Sequence, residues 1–293
     1  MPREGRTNRR HTNGEAKIVV KAPPYIQRKI PVYEMLNDDE LSILERNADT
    51  ILEEIGIVFG EDAEARDIFK AAGATVQGEL VKFPRGMCRE IIQKTTPSQF
   101  TQYARNPARS VEIGGNNMVL APAYGSPFVY NMDEGRRYAN IRDFQNFVKL
   151  AYLSDNLHHS GGTVCEPVDL PVNKRHFDMV YSHIKYSDKA FMGSVTHAER
   201  AQDSVNMAKI VFGDEFVDQH CVLVNLINAN SPMTFDATML GSLKVYARNN
   251  QACMVSPFIV SGAMSPVSAA AVAAQSLAEA MAGMTLIQLI RPG

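Results

Sequence analysis

Apolar residues recur at helical spacing over 38–55: Leu41, Leu44, Ala48, Ile51, Leu52 and Ile55 fall on one stripe, and Gly56 closes the run. A short strand is expected at 57–59, then a helix over 63–72 that stops at Gly73. Val76, Leu80, Val81 and Phe83 around Gly78 read as a hairpin, and Pro84 precedes a helix over 86–95. Before these elements, residues 1–37 read as a tail. Pro23-Pro24 and Pro31 oppose helix, and the polar residues ahead of them offer nothing for a core. Residues 38–110 therefore form a small α+β region.

From residue 117 the rhythm changes, and short apolar runs alternate with helical ones. Strands are expected at 118–122, 157–163, 190–195, 221–228 and 252–260, followed by helices at 141–154, 174–186, 198–212, 235–249 and 268–289. A hairpin-like excursion, 128–138, interrupts the first unit. A doubly wound sheet would carry a glycine-rich phosphate loop after its first strand, but the segment reads Ala121-Pro122-Ala123-Tyr124-Gly125-Ser126. A TIM-type (β/α)8 barrel needs no such loop and gathers polar and aromatic residues at the strand ends. Tyr124, Glu166, His197, Asn228 with Ser231, and Ser256 with Phe258 stand there. The expected fold is therefore α/β, an incomplete barrel over 111–293 behind the α+β extension. A sixth strand is expected beyond Arg291-Pro292-Gly293, because an open parallel sheet leaves an unpaired edge.

Charge and composition narrow the function. A net charge of −2 provides no field for nucleic acid or an anionic membrane. The first 30 residues are locally basic (Arg3, Arg6, Arg9, Arg10, Lys17, Lys21, Arg28, Lys29), which reads as a solvated tail. Cys88, Cys165, Cys221 and Cys253 have neither paired nor zinc-finger spacing, so a reducing, cytoplasmic setting is expected. No apolar segment follows the basic start as in a signal peptide. The long alanine-rich stretch 268–290 carries Gln275, Glu279 and Gln288, which suits a packed helix better than a bilayer span.

Four segments carry a resemblance: ILEEIGIVF (51–59), ARNPARSVEIGGNN (104–117), SGAMSPVSAAAVAAQSLAEAMAG (261–283) and QLIRPG (288–293). With them the chain resembles the trimethylamine methyltransferase family, which includes relatives acting on glycine betaine, in order from about residue 30 to the end. The resemblance implies a TIM barrel longer than this chain. It also implies methyl transfer from a methylated tertiary or quaternary amine to the cobalt of a separate corrinoid protein. Some members use pyrrolysine, whose region would lie beyond Gly293, so the branch stays open. A quaternary amine is the favoured substrate class. No cofactor is expected on the chain itself; the corrinoid partner supplies the cobalt.

A quaternary ammonium calls for aromatic faces and a nearby carboxylate. On that basis Tyr124, Phe128, Glu166 and Phe258 are candidates for the cation. Asn228 and His197 are candidates for a substrate carboxylate or the corrinoid tail. Gly262, in Ser261-Gly262-Ala263-Met264-Ser265-Pro266, permits close approach of a ligand before a helix N-terminus. Each has a plainer reading: Tyr124 and Phe258 as packing under loops, Glu166 as a surface ion pair, Asn228 as a cap of the next helix, Gly262 as a tight turn. His158 and His159 read as satisfied core histidines. His158, Cys165, His197 and Cys253 fall near strand ends without motif spacing, and no metal is expected. The rival readings are a zinc-assisted barrel methyltransferase or lyase, and a non-catalytic fragment or scaffold that binds a corrinoid protein. Barrels commonly form oligomers, but no number follows from the sequence.

Overall fold

The computed structural model describes residues 26–293. The basic residues Arg3 to Lys21 and Pro23-Pro24 lie outside the described residues. β1 (Ile26–Gln27) leads to α1 (Asp38–Thr50). Asn37 starts α1 with a reciprocal cap, its side chain accepting from Glu40 N at 3.0 Å while its own N–H reaches Glu40 Oε2 at 2.9 Å. One π-turn, Ile51–Ile55, ends the helix at Gly56, whose φ of +85° is open to glycine. A Cβ there would meet Val81 O at 2.5 Å. β2 (Ile57–Phe59), α2 (Ala63–Ala71), β3 (Thr75–Gln77), β4 (Leu80–Lys82) and α3 (Met87–Thr95) follow, as the apolar pattern predicts.

Two elements that the pattern does not announce come next. β5 (Gln99–Gln102) and β6 (Val111–Gly114) form an antiparallel hairpin. Buried Gln102 plugs the start of the parallel strands, donating to Phe191 O at 2.9 Å and Val222 O at 3.1 Å. β7 (Asn117–Met118) pairs antiparallel with β1. The strand expected at 118–122 is thus shorter and differently paired, because Pro122 has no N–H to continue a ladder. β8 (Phe128–Asn131) and β9 (Gly135–Tyr138) form the expected hairpin.

The helices α4 (Ile141–Leu153), α5 (Arg175–Tyr186), α6 (Ala198–Phe212) and α7 (Asp214–Gln219) precede β10 (Val224–Ala229) and β11 (Thr234–Phe235). Then come α8 (Ala237–Arg248), β12 (Ala252–Pro257) and α9 (Ala269–Ile290). Contacts join the segments in chain order, those from His159 onward parallel, with the first of these as isolated bridges before β10. His158 N donates to Leu120 O at 2.9 Å, His159 bridges Ala190, Phe191 bridges Leu223, and β10 runs beside β12. Along β10 the side chains alternate. Ile227 and Ala229 enter the core with α8 and α9, whereas Leu226 and Asn228 share the other face with Met254 and Ser256, their register partners.

The N-terminal region shares that core. β11, from the loop after β10, joins β2 in parallel, and Phe235 stacks on Phe59 with ring centroids 5.6 Å apart. Phe69 and Phe83 complete the aromatic row at 4.7 and 5.0 Å spacings. Ala278 and Ala282 of α9 belong to the same cluster, and their small side chains let α1, α2 and α3 approach closely. By length and composition α9 is apolar enough to cross a membrane; half of its most apolar stretch is buried against these neighbours.

Candidate functional site

Loops follow the parallel segments at their C-terminal ends. The first two are locked together by glycines. Gly125 N donates to Thr163 O at 2.8 Å, and a Cβ at Gly125 would sit 1.9 Å from Val164 O. The Tyr124 hydroxyl rests 3.6 Å from Met192 Sδ, and a Cβ at Gly162 would come within 2.8 Å of that hydroxyl. Burial pushes the Tyr124 phenol up to about 12, so it stays un-ionised, although the residue as a whole remains 41% exposed.

Gly162 and Met192 also border a cavity of about 60 Å³, together with Glu166, Arg175, Thr196 and Arg200. Arg175 Nη1 donates to Glu166 Oε1 at 2.5 Å, and Arg200 Nη1 donates to Thr196 Oγ1 at 2.8 Å. His176, on the same helix turn as Arg175, pairs through Nε2 with Asp203 Oδ2 at 2.8 Å.

Two histidines beneath the cavity have defined tautomers. His159 Nδ1 accepts from Gly161 N at 2.9 Å, so Nε2 carries the proton donated to Gln102 Oε1 at 3.1 Å. His183 Nε2 faces the Gly162 carbonyl at 2.9 Å and must donate, leaving Nδ1 to accept from Ser160 Oγ at 2.7 Å. Burial pushes His159 down to about 3, with nearby His183 adding to the effect, and pushes His183 down to about 4. Both are neutral, satisfied core groups that fix the backbone at Gly161 and Gly162.

The loops after β10 and β12 are tied by α9. Glu279 is fully buried; its carboxylate accepts from Ser231 Oγ at 2.5 Å, Met233 N at 2.9 Å and Gln275 Nε2 at 2.9 Å. Gln275 Nε2 also donates to Met264 O at 3.0 Å. Asn230 and Asp236 exchange two hydrogen bonds, at 2.9 and 3.1 Å, and so brace the same loop.

Among the residues singled out from the sequence, Tyr124 and Glu166 come together around the cavity through Gly162 and Met192. Phe128 sits on the β8–β9 hairpin, where Tyr138 lies 4.6 Å away and the Arg136 guanidinium covers the ring at 3.9 Å. His197 is the N-cap of α6, accepting from Glu199 N at 3.3 Å. Asn228 lies within β10 rather than at a cap; Asp236 caps α8 instead. Phe258 is 64% exposed just past β12. Gly262 takes φ +79° in a turn closed by its N–H to Ser265 O at 3.0 Å. No local pattern in the sequence marks Arg175, His176, Arg200 or Met192. Gln275 and Glu279 read in the sequence as polar interruptions of an apolar helix, and their spacing of four places both on one face.

The family model described as trimethylamine methyltransferase matches residues 2–293. Glycine betaine methyltransferase of Desulfitobacterium hafniense (strain Y51) is 43% identical over 265 residues, covering 90% of this chain and 55% of that protein. Proline betaine:corrinoid methyltransferase of Eubacterium limosum is 27% identical over 265 residues, 87% of this chain and 53% of that protein. L-carnitine:corrinoid methyltransferase of the same organism is 23% identical over 270 residues, covering 87% and 54%. The chain spans about half the length of these curated relatives.

Proposed function

Because the chain belongs to the trimethylamine methyltransferase family, we propose that it acts in moving a methyl group from a quaternary amine to the cobalt of a separate corrinoid protein. The observation that carries this reading is the 43% identity, over 90% of the chain, to a glycine betaine methyltransferase. Three relatives named for betaine or carnitine donors favour a quaternary ammonium that also bears a carboxylate. The parallel contacts in chain order, each followed by a helix, support a (β/α)8 barrel whose strand ends hold the site.

The cobalt(I) of the partner supplies the nucleophile. A quaternary ammonium needs no proton to leave, because nitrogen keeps the C–N electron pair and departs as a neutral tertiary amine. The chain's residues therefore position the donor and exclude water. The half-exposed ring of Tyr124 offers a face for the cation, and its un-ionised phenol remains packed on Met192. Glu166 and Arg175 neutralise each other at the cavity wall, while Arg200 lies close enough to meet a donor carboxylate. His159 and His183, neutral and saturated with hydrogen bonds, hold the glycine loop and take no part in proton transfer.

The test is a donor panel. The chain is incubated with a reduced corrinoid protein and, separately, glycine betaine, proline betaine, L-carnitine or trimethylamine, and demethylated amine is quantified by mass spectrometry. Product from a carboxylated quaternary donor supports the reading. Product from trimethylamine alone would move the substrate to tertiary amines. Capture of the corrinoid protein without product from any donor would favour a binding scaffold.

A further inference from the structure

Arg200 stands third in α6, in the opening turn, where the free N–H groups of a helix favour anions and disfavour cations. It is partly buried, and its Nη1 donates to Thr196 Oγ1 at 2.8 Å. Among the described residues Arg200 takes part in no ion pair. The carboxylates around it are engaged elsewhere. Glu166 is held by Arg175 Nη1 at 2.5 Å, and Asp203, one turn along α6, by His176 Nε2 at 2.8 Å. The Glu199 side chain is 88% exposed and 3.9 Å from His197. A guanidinium keeps its charge at any pH the protein meets. Among the described residues that border the cavity of about 60 Å³, Glu166 is the one acid, and Arg175 already cancels it. Arg200 therefore brings to that cavity a positive charge with no counter-charge on its walls. The same walls hold hydrogen-bonding capacity that the fold leaves unused. Arg175 Nε is buried without a partner, and so is Nδ1 of His176, a residue only 4% exposed. Native interiors ordinarily satisfy such groups. An unpaired guanidinium beside them suits an anion of carboxylate size.

We propose that Arg200 is a specificity-determining residue: its guanidinium takes the carboxylate of a betaine at this cavity, so that a quaternary amine without a carboxylate binds weakly. This rests on the reading of the site as one for a quaternary ammonium, and it gives the acidic half of the donor its own partner. Thr196 steadies the guanidinium. The cation is left to the ring of Tyr124, whose hydroxyl lies against Met192 on the cavity's border.

The experiment compares two ligands with the same kind of cationic head. Glycine betaine carries a carboxylate, and tetramethylammonium carries none. Dissociation constants are measured by calorimetry for the full chain, for Arg200→Gln, which removes the charge, and for Arg200→Lys, which keeps the charge without the planar fork. Thr196→Val removes the hydroxyl that steadies Arg200 and nearly keeps its shape, and it serves should the Arg200 variants not fold.

The expected result for Arg200→Gln is a loss on the order of tenfold to a hundredfold in glycine betaine affinity, with tetramethylammonium changed less than about twofold. Arg200→Lys is expected to recover part of the loss, and Thr196→Val to weaken glycine betaine alone by a smaller factor. Equal weakening of both ligands, or no change in either, would overturn the proposal and leave Arg200 a brace of the loop before α6. Equal affinity of the unaltered chain for the two ligands would overturn it as well, while leaving the quaternary-ammonium reading in place. Binding of neither ligand by the unaltered chain would overturn that reading itself, and this inference with it.

Discussion

The Tyr124 hydroxyl and the Met192 sulfur lie 3.6 Å apart, and the missing side chain of Gly162 leaves the space in which they meet. A methyl group at Gly162 would sit 2.8 Å from the hydroxyl and 3.0 Å from Met192 Cβ. Gly162→Ala is therefore expected to push the Tyr124 ring outward. The overpacking should cost about 1–3 kcal/mol of stability. Affinity for glycine betaine should fall roughly tenfold through the displaced ring face. Calorimetry beside thermal melting checks both, and unchanged affinity with a lowered Tm would remove Tyr124 from the ligand's surroundings.

Acid should weaken the fold through His159 and His183. Both are held neutral, at about 3 and about 4, by burial, whereas an unfolded imidazole titrates near 6.5. As pH falls below about 6.5, the unfolded chain takes up two protons that the folded chain refuses, so stability falls with pH. At neutral pH and above, the two histidines contribute no pH dependence. Each should add about 1.4 kcal/mol per pH unit between about pH 6.5 and its folded value. Urea midpoints measured between about pH 7 and pH 5 should show this slope, and His183→Gln should reduce it by about half.

Lys189 is expected to be structural. It is buried, and its ammonium donates to Ala151 O, Ser154 O and Leu157 O at 2.8, 2.9 and 2.7 Å, closing the C-terminal end of α4. Lys189→Met fills similar space but leaves the carbonyls of Ala151, Ser154 and Leu157 without this donor. A loss of about 3 kcal/mol in urea unfolding is expected. A loss under about 0.5 kcal/mol would mean that water or the backbone replaces the ammonium.

Much of this fold was legible because its helices announce their ends. The helix expected at 198–212 is α6 residue for residue, stopped by Gly213. The β3–β4 turn at Gly78 and the hairpin over 128–138 follow from glycine and alternation in the same way. The β5–β6 hairpin escaped notice because Gln99-Phe100-Thr101-Gln102 shows no apolar alternation; its purpose is polar, with Gln102 bonding three separate segments. α7 escaped because it spans only Asp214–Gln219, too short for periodicity to register.

The site was less legible than the fold. Tyr124 and Glu166 stand out in the sequence because each falls just after an expected strand. Arg175 and Arg200 lie in the opening turns of two different helices, and only packing brings them to one cavity. His197 shows the converse: a histidine at a strand end with functional promise turns out to cap a helix, 53% exposed. The hairpin that carries Phe128 was expected, but the occupation of its ring by Arg136 depends on cross-strand neighbours that spacing alone does not reveal.

Methyl transfer to cobalt can be followed by the absorbance of a reduced corrinoid protein mixed with this chain and glycine betaine whose methyl groups carry deuterium. The cobalt(I) spectrum is expected to convert to that of methylcobalt, with the deuterated methyl recovered on cobalt and deuterated dimethylglycine released in equal amount. An unchanged cobalt(I) spectrum with every quaternary donor, under conditions where a betaine methyltransferase of the family converts it, would rule out methyl transfer by this chain.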